Sequence, residues 1–366
     1  MTSREGEGNA AGDAAASVRL SDYDYELPEE RIAQEPVYPR DSSRLLVVPR
    51  GSGALAHRRF HDLSDYLRSG DVLVLNETRV TAARLLGNRE SGGAVESLVL
   101  RPAIERGPEV YEALVRPGKK VQVGDTLRFE EAGLIGFVEG RTESGGRFLR
   151  LAPVDDGDKS DVMTRLEGRG RVPLPPYILS PLEDRQRYQT VYARTPGSAA
   201  APTAGLHFTP EMLERIEEMG VRIARVRLDV GLGTFRPIRV EDITQHEMHS
   251  ETFAVSQEAA ALVNSCEGRV IAVGTTALRA LETAALSASP GMRVAPIAEG
   301  ETKLFVYPGY AFRAVDVLIT NFHQPHSTLL LLVAAFAGGS QMRTAYQTAL
   351  DDNYRFLSFG DAMLIH

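Results

Sequence analysis

The chain has 366 residues, 43% of them hydrophobic and 25% charged, which suits one large or two medium folded domains with a real core. A net charge of -8 argues against a protein that coats polyanions over its whole surface, while leaving room for RNA binding through a local basic patch. One cysteine, Cys266, excludes a disulfide framework and a cysteine-based zinc site, and fits a reducing cytoplasm.

Residues 1–17 are small or polar and predict a disordered tail. A short polar helix is expected near residues 29–33. Ser43-Arg44-Leu45-Leu46-Val47-Val48 reads as a strand ending at Pro49, and residues 71–75 as a buried strand running into Asn76-Glu77-Thr78-Arg79-Val80. Residues 81–173 change character. Short strands at 95–100, 111–115, 126–129, 134–138 and 147–151 alternate with Gly turns, which predicts a small antiparallel barrel. Residues 172–177, with three prolines, form a stiff way out of it.

Helix and strand then alternate. Thr209-Pro210-Glu211 opens a helix that stops at Gly220: a capping hydroxyl, a first-turn proline and an acid facing the helix dipole. A strand is expected over 221–230, a helix over 258–264, a strand over 270–273, a helix over 277–286 and a strand over 315–319. Ser327 should cap a last apolar helix, whose apolar run 329–337 is too short to cross a bilayer; no membrane partner is expected. The fold class is therefore α/β: a mixed α/β domain, residues 18–80 and 174–366, interrupted by the inserted barrel domain, 81–173.

Polar groups gather where strands end, which is where open α/β sheets build sites. Asn76, Thr78 and Arg79 follow one strand. Gly274, Thr275 and Thr276 follow another and open a helix, a seat for an anion, without the spacing of a Walker or Rossmann loop. Thr320-Asn321-Phe322-His323 follow a third. Asp229, at the end of the 221–230 strand, could orient a histidine or act as a base. Thr203-Ala204-Gly205-Leu206-His207-Phe208, after Tyr188-Gln189-Thr190-Val191-Tyr192-Ala193, places an imidazole, two phenols and several hydroxyls in a loop broken by glycine and proline. His246 and His249, at H-x-x-H spacing, could share one side of a helical turn, but without H-E-x-x-H or cysteine ligands no metal is expected. Two function classes fit these residues: a cofactor-free transferase acting on a nucleoside-like substrate, and a nucleic-acid-binding module whose barrel binds while its α/β part supports.

The ordered motifs from about Leu20 to Ile365 carry a resemblance. They include Ser43-Arg44-Leu45-Leu46, Asn76 with Thr78-Arg79-Val80, residues 173–178, 188–208, 231–237 and 270–276. Met248-His249-Ser250-Glu251, Tyr307-Pro308-Gly309-Tyr310, Thr320 to His323, Tyr354-Arg355-Phe356 and Gly360-Asp361-Ala362 continue it. Together the chain resembles the S-adenosylmethionine:tRNA ribosyltransferase-isomerases of queuosine biosynthesis.

The resemblance implies that S-adenosylmethionine is a substrate and no separate cofactor is used. Its ribosyl group is transferred to 7-aminomethyl-7-deazaguanine at the wobble position of a tRNA with a GUN anticodon. Rearrangement then gives epoxyqueuosine, adenine and methionine. A monomeric cytoplasmic enzyme is expected. Against that chemistry His207, His249 and His323 are candidate acid–base groups, since an unperturbed imidazole titrates near neutrality. Glu251 and Asp361 are candidates to orient them. Arg79 and Arg279 could meet a carboxylate or phosphate. Tyr192, Thr203, Phe208, Thr234, Phe235 and Tyr307 complete the expected substrate-binding set. The chain departs from the family in having Asp229 where a histidine is usual and Gln324 where leucine is usual. Asp229 is expected to face the pocket and tune the acceptor. A paralogue acting on a small amine or free deazaguanine is the enzymic alternative. Arg116, Lys119 and Lys120, on one barrel turn, are expected to meet tRNA phosphate.

Overall fold

A computed structural model describes residues 18–81, 83–143, 145–155, 157–231 and 237–366. The expected tail at 1–17 lies outside the described residues, as do Thr234 and Phe235. The first strands in chain order are β1 (Arg44–Val48), β2 (Ala56–Arg59), β3 (Val72–Asn76) and β4 (Thr78–Val80). Six more build the insertion: β5 (Ala83–Arg89), β6 (Ala94–Pro102), β7 (Val110–Arg116), β8 (Thr126–Phe129), β9 (Leu134–Arg141) and β10 (Arg147–Pro153). After helix α1 (Val162–Arg169) come β11 (Thr195–Ser198), α2 (Pro210–Glu218), β12 (Arg222–Leu228), β13 (Glu251–Val255), α3 (Gln257–Asn264) and β14 (Val270–Val273). The chain closes with α4 (Gly274–Leu286), β15 (Ile297–Thr302), β16 (Val317–Asn321), α5 (Thr328–Ala337), α6 (Gly339–Asp351) and β17 (Ala362–Ile365).

Nine strands form one mixed sheet in the order β15-β13-β12-β3-β14-β16-β17-β1-β2. Its middle, β12-β3-β14-β16, is parallel. The C-terminal β17 runs back against β16 and pairs in parallel with β1. Parallel strands covered on both faces need apolar residues on both, and β3 shows why its unbroken run was legible. Val72 and Val74 point to one core with α3, α4, α5 and α6. Leu73 and Leu75 point to the other, with α2 and the 3-10 helix Phe60–Tyr66. The sheet is thus the middle of three layers.

The insertion is a closed antiparallel barrel, β10-β7-β6-β5-β8-β9, filled by residues such as Leu85, Val99, Phe129 and Leu149. Helix α1 packs Val162 and Leu166 onto it. It meets the sheet domain where Leu98 on β6 packs on Ala199, just after β11, which itself pairs with β4.

Several expectations are corrected. Helix α4 begins at Gly274 rather than residue 277, because Gly274 takes φ +88°, a left-handed turn that lets the helix start directly after β14. The expected strand at 221–230 narrows to Arg222–Leu228, and that at 315–319 shifts to Val317–Asn321, so Thr320 and Asn321 are strand residues. Ser327 caps α5 by accepting from the Leu330 amide, but α5 is not the last helix: α6 follows. No helical turn joins His246 to His249. A 3-10 turn ends at Gln245, and the chain then runs extended into β13.

Candidate active site

The four parallel strands point their carboxyl ends at one edge of the sheet, and the polar residues singled out in the sequence lie at all four of those ends. Asn76, at the end of β3, is buried and fully committed. Its Oδ1 accepts from the Leu228 and Thr78 amides, and its Nδ2 donates to the Leu228 carbonyl at 2.9 Å and to Thr276 Oγ1 at 3.1 Å. It therefore ties β3 to β12 and holds the Thr276 hydroxyl. Behind Gly274, α4 starts without a side-chain cap, so its first-turn amides face outward with the positive end of the helix dipole.

These groups open on a hollow whose empty space, counted together with the open solvent at its mouth, is about 780 Å³. Gly274, Thr275 and Thr276 line one side. Thr320, Asn321, Phe322 and His323 line another, at the end of β16. Thr203 and Ala204 come from the 3-10 helix Thr203–His207. Sequence reasoning did not place Tyr177, Gln324, Ser327 or Ser358 in the pocket, yet they also line it. The Tyr177 hydroxyl lies 2.8 Å from Ser358 Oγ, and burial pushes its phenol up to about 12. Its signal was the Pro-Pro step before it, which fixes an extended chain that ends on an aromatic.

His323 sits at the cavity wall. Its Nε2 lies 2.8 Å from Thr320 Oγ1, its amide donates to the Tyr346 hydroxyl at 3.0 Å, and its carbonyl accepts from the Tyr25 hydroxyl. Burial pulls its imidazole down to about 3, so it is neutral. His207 lies on the far side of Asn321. Its ring stacks on Phe60 with centroids 4.8 Å apart, and its Nδ1 lies 2.8 Å from Ser43 Oγ. Burial lowers it to about 4, against a smaller opposing effect from the Asn321 side chain.

A second hollow adjoins the first. Gly231, His246, Met248, His249, Glu251 and Thr328 line it, next in sequence to Val230, Ser327 and Leu329 of the main cavity. His249 is exposed; His246 is half-buried and lowered by that burial and then by His249. Glu251 is tied to a cation. It forms a buried ion pair with Arg279 Nη1 and accepts from the Gly231 amide, while the buried Nη2 of Arg279 has no hydrogen-bond partner. Tyr307 packs on Phe305, which in turn packs on His246.

Other candidates fall elsewhere. Phe208 is wholly buried in the core under the sheet, edge-on to Phe60. Tyr192 is buried beside it, and a Cβ on Gly205 would come within 1.9 Å of its hydroxyl, which explains that glycine. Asp361 accepts from the Arg44 and Arg355 amides and positions β17 beside β1, with no histidine in reach. Arg79 is exposed on β4 and lines a separate hollow near the barrel with Leu166 and Arg185. Asp229 turns toward Thr78, whose hydroxyl donates to it at 2.7 Å, and toward Arg227 at 3.6 Å; among the described residues it does not line the main cavity. Burial raises its carboxyl. Among the described residues no three His, Cys, Asp or Glu side chains converge as a metal cage, and no helix is long and apolar enough to cross a membrane.

Sheet, strand-end cavity and inserted barrel together define an α/β enzyme with its pocket at the carboxyl ends of parallel strands. The family described as "Queuosine biosynthesis protein" matches residues 20–365, and the chain belongs to it. It is 55% identical over 355 residues to the S-adenosylmethionine:tRNA ribosyltransferase-isomerase of Symbiobacterium thermophilum, covering 95% of this chain and 100% of that one. It is 51% identical over 352 residues to the protein of the same name from Moorella thermoacetica, with the same coverage. The crystal structure of S-adenosylmethionine tRNA ribosyltransferase from Thermotoga maritima is similar at a TM-score of 0.52 and 38% identity, over 94% of this chain and 100% of that one.

Proposed function

We propose that the chain transfers the ribosyl group of S-adenosylmethionine to 7-aminomethyl-7-deazaguanine in tRNA and isomerises it to the epoxycyclopentanediol of epoxyqueuosine, releasing adenine and methionine. The observation that carries this reading is the strand-end cavity, lined by neutral hydroxyl, amide and imidazole groups, in a chain that matches relatives of that name along their whole length.

The chemistry fits such a lining. The sulfonium of S-adenosylmethionine already carries the positive charge that acidifies the C5′ protons, so the protein needs a positioned base rather than a strong electrophile. Adenine leaves more readily when a ring nitrogen is protonated or hydrogen-bonded. The uncapped start of α4 with Thr275 and Thr276 suits the methionyl carboxylate or a ribose oxygen. Neutral His323 suits a hydrogen bond to the nucleoside. His249, exposed in the adjoining hollow, suits proton exchange.

S-adenosylmethionine supplies the transferred group and both leaving groups, so no further cofactor or metal enters this scheme. A tRNA with a GUN anticodon is the acceptor, and the enzyme acts as a monomer in the cytoplasm. Incubating the chain with S-adenosylmethionine and tRNA bearing 7-aminomethyl-7-deazaguanine, without added metal, should release adenine and methionine in step with a modified nucleoside. Adenine release with unchanged tRNA would sink the proposal.

A further inference from the structure

Two buried polar atoms lack a hydrogen bond, and their side chains act on one another. Nε2 of His207 and the amide oxygen Oδ1 of Asn321 are sealed from solvent with no partner of ordinary geometry. Yet the Asn321 side chain bears on the His207 imidazole as a hydrogen-bonding neighbour. Orphaned buried polar atoms are rare because each forfeits its hydration, so two complementary ones side by side call for an explanation.

Each side chain holds a partner through its other polar atom. Asn321 Nδ2 donates to the Leu357 carbonyl at 2.9 Å. That places Oδ1, an acceptor only, toward His207. Nε2 must then carry the hydrogen. In a neutral imidazole Nδ1 is consequently an acceptor, and the Ser43 hydroxyl, 2.8 Å away, must donate to it. Two directions follow, Ser43 O–H to Nδ1 and Nδ2–H to the carbonyl, with Nε2–H and Oδ1 left facing each other outside ordinary hydrogen-bond geometry.

The consequence reaches the cavity. Asn321 lines it, its Oδ1 is sealed from solvent, and Nδ2 keeps a second N–H beyond the one given to Leu357. We infer that Ser43 and His207 are positioning residues that lock the Asn321 amide with its N–H toward the cavity, selecting a ligand that carries a lone-pair acceptor at that point. His207 acts from behind the wall. It borders a different hollow, with Arg40 and Phe359, while Thr203 and Ala204 of the same 3-10 helix line the cavity itself. Taking that ligand to be the nucleoside part of S-adenosylmethionine rests on the function proposed above.

Two measurements on the full chain test this. The first needs no ligand. Nitrogen NMR of histidine-labelled protein should show His207 with the proton on Nε2 and a bare Nδ1; a proton on Nδ1 overturns the relay. The second is a double-mutant cycle on S-adenosylmethionine binding, read by calorimetry. His207→Phe keeps a ring on Phe60 but removes the donor. His207→Phe and Asn321→Ala should each weaken binding about fivefold to tenfold. The double variant should bind no more weakly than Asn321→Ala, because His207 has nothing left to orient. Losses that multiply would mean that His207 only supports the fold, and would overturn the inference. Ser43→Ala, a smaller change, repeats the cycle if His207→Phe does not fold. If the unaltered chain binds no S-adenosylmethionine, the proposed function fails, while the tautomer still decides the relay.

Discussion

The two adjoining hollows at the sheet edge hold histidines in different surroundings. In the main cavity His323 is buried, bonded to Thr320 and held neutral, with His207 in the same condition behind the wall. In the neighbouring hollow His249 is exposed and His246 half-buried, above a carboxylate that Arg279 neutralises. One hollow offers fixed, uncharged donors and acceptors. The other sets His249 against water. Under the proposed function, binding the sulfonium nucleoside and moving protons would fall to different surfaces that share the segments Val230–Gly231 and 327–329.

The largest effect should come from removing the carboxylate under the second hollow. Glu251→Ala leaves Arg279 buried and unpaired, and should cost about 3–5 kcal/mol in denaturant unfolding. A loss below about 1 kcal/mol would show that the pair does not hold this hollow together. His249→Ala should instead spare stability, within about 0.5 kcal/mol for an exposed side chain, and lower kcat by about a hundredfold. Unchanged turnover would erase the distinction between the hollows.

Acidity sharpens the same contrast. An unfolded histidine binds a proton near pH 6.5, roughly, whereas His207 and His323 resist until about 4 and about 3. Between those values the unfolded chain holds more protons, so the stability these residues permit is complete above about pH 6.5 and is lost as pH falls toward their folded values. Each adds a slope approaching about 1.4 kcal/mol per pH unit. His207→Gln should therefore show a shallower fall between about pH 6 and about pH 4.5 than the unaltered chain. Equal slopes would mean that His207 is not buried as a neutral ring.

The smallest effect concerns the barrel. Its strand charges are mostly in exposed pairs, such as Arg101 with Glu112 and Arg150 with Glu139, which contribute little to stability. The turn bearing Arg116, Lys119 and Lys120 differs. It is exposed, and buried Arg147 grips it by donating to the Gly118 and Val121 carbonyls. Replacing Lys119 and Lys120 by Ala should weaken tRNA binding a few-fold. It should also flatten the salt dependence of that binding by about 0.9 for each phosphate no longer neutralised. Unchanged affinity and slope would mark a merely solvated turn.

Much of this architecture was legible because periodicity and strand-end chemistry agree. The strand Val270–Val273 with its following Gly-Thr-Thr, and the strand leading to His323, were placed from apolar runs that stop at polar groups. What sequence missed was governed by partners far away in the chain. β5 has no β-branched residue and forms because β6 and β8 flank it, with Gly87 needed since a Cβ there would lie 2.0 Å from the Arg128 carbonyl oxygen. β17 is four residues long and exists only between β16 and β1. At the site, hydroxyls and imidazoles near strand ends were visible as types, but their burial was not. Phe208 and Tyr192 went to the core, and Glu251 went to Arg279, because only the fold decides which polar group is left without a partner.

The proposed reaction moves the ribosyl part of S-adenosylmethionine into tRNA. The most direct measurement uses two batches of S-adenosylmethionine, one labelled in the ribose carbons and one in the S-methyl group, each with tRNA carrying 7-aminomethyl-7-deazaguanine. Ribose label should enter the tRNA nucleoside as adenine appears, while methyl label stays in free methionine. Methyl label in the tRNA, or ribose label that never leaves the small-molecule fraction, would contradict it.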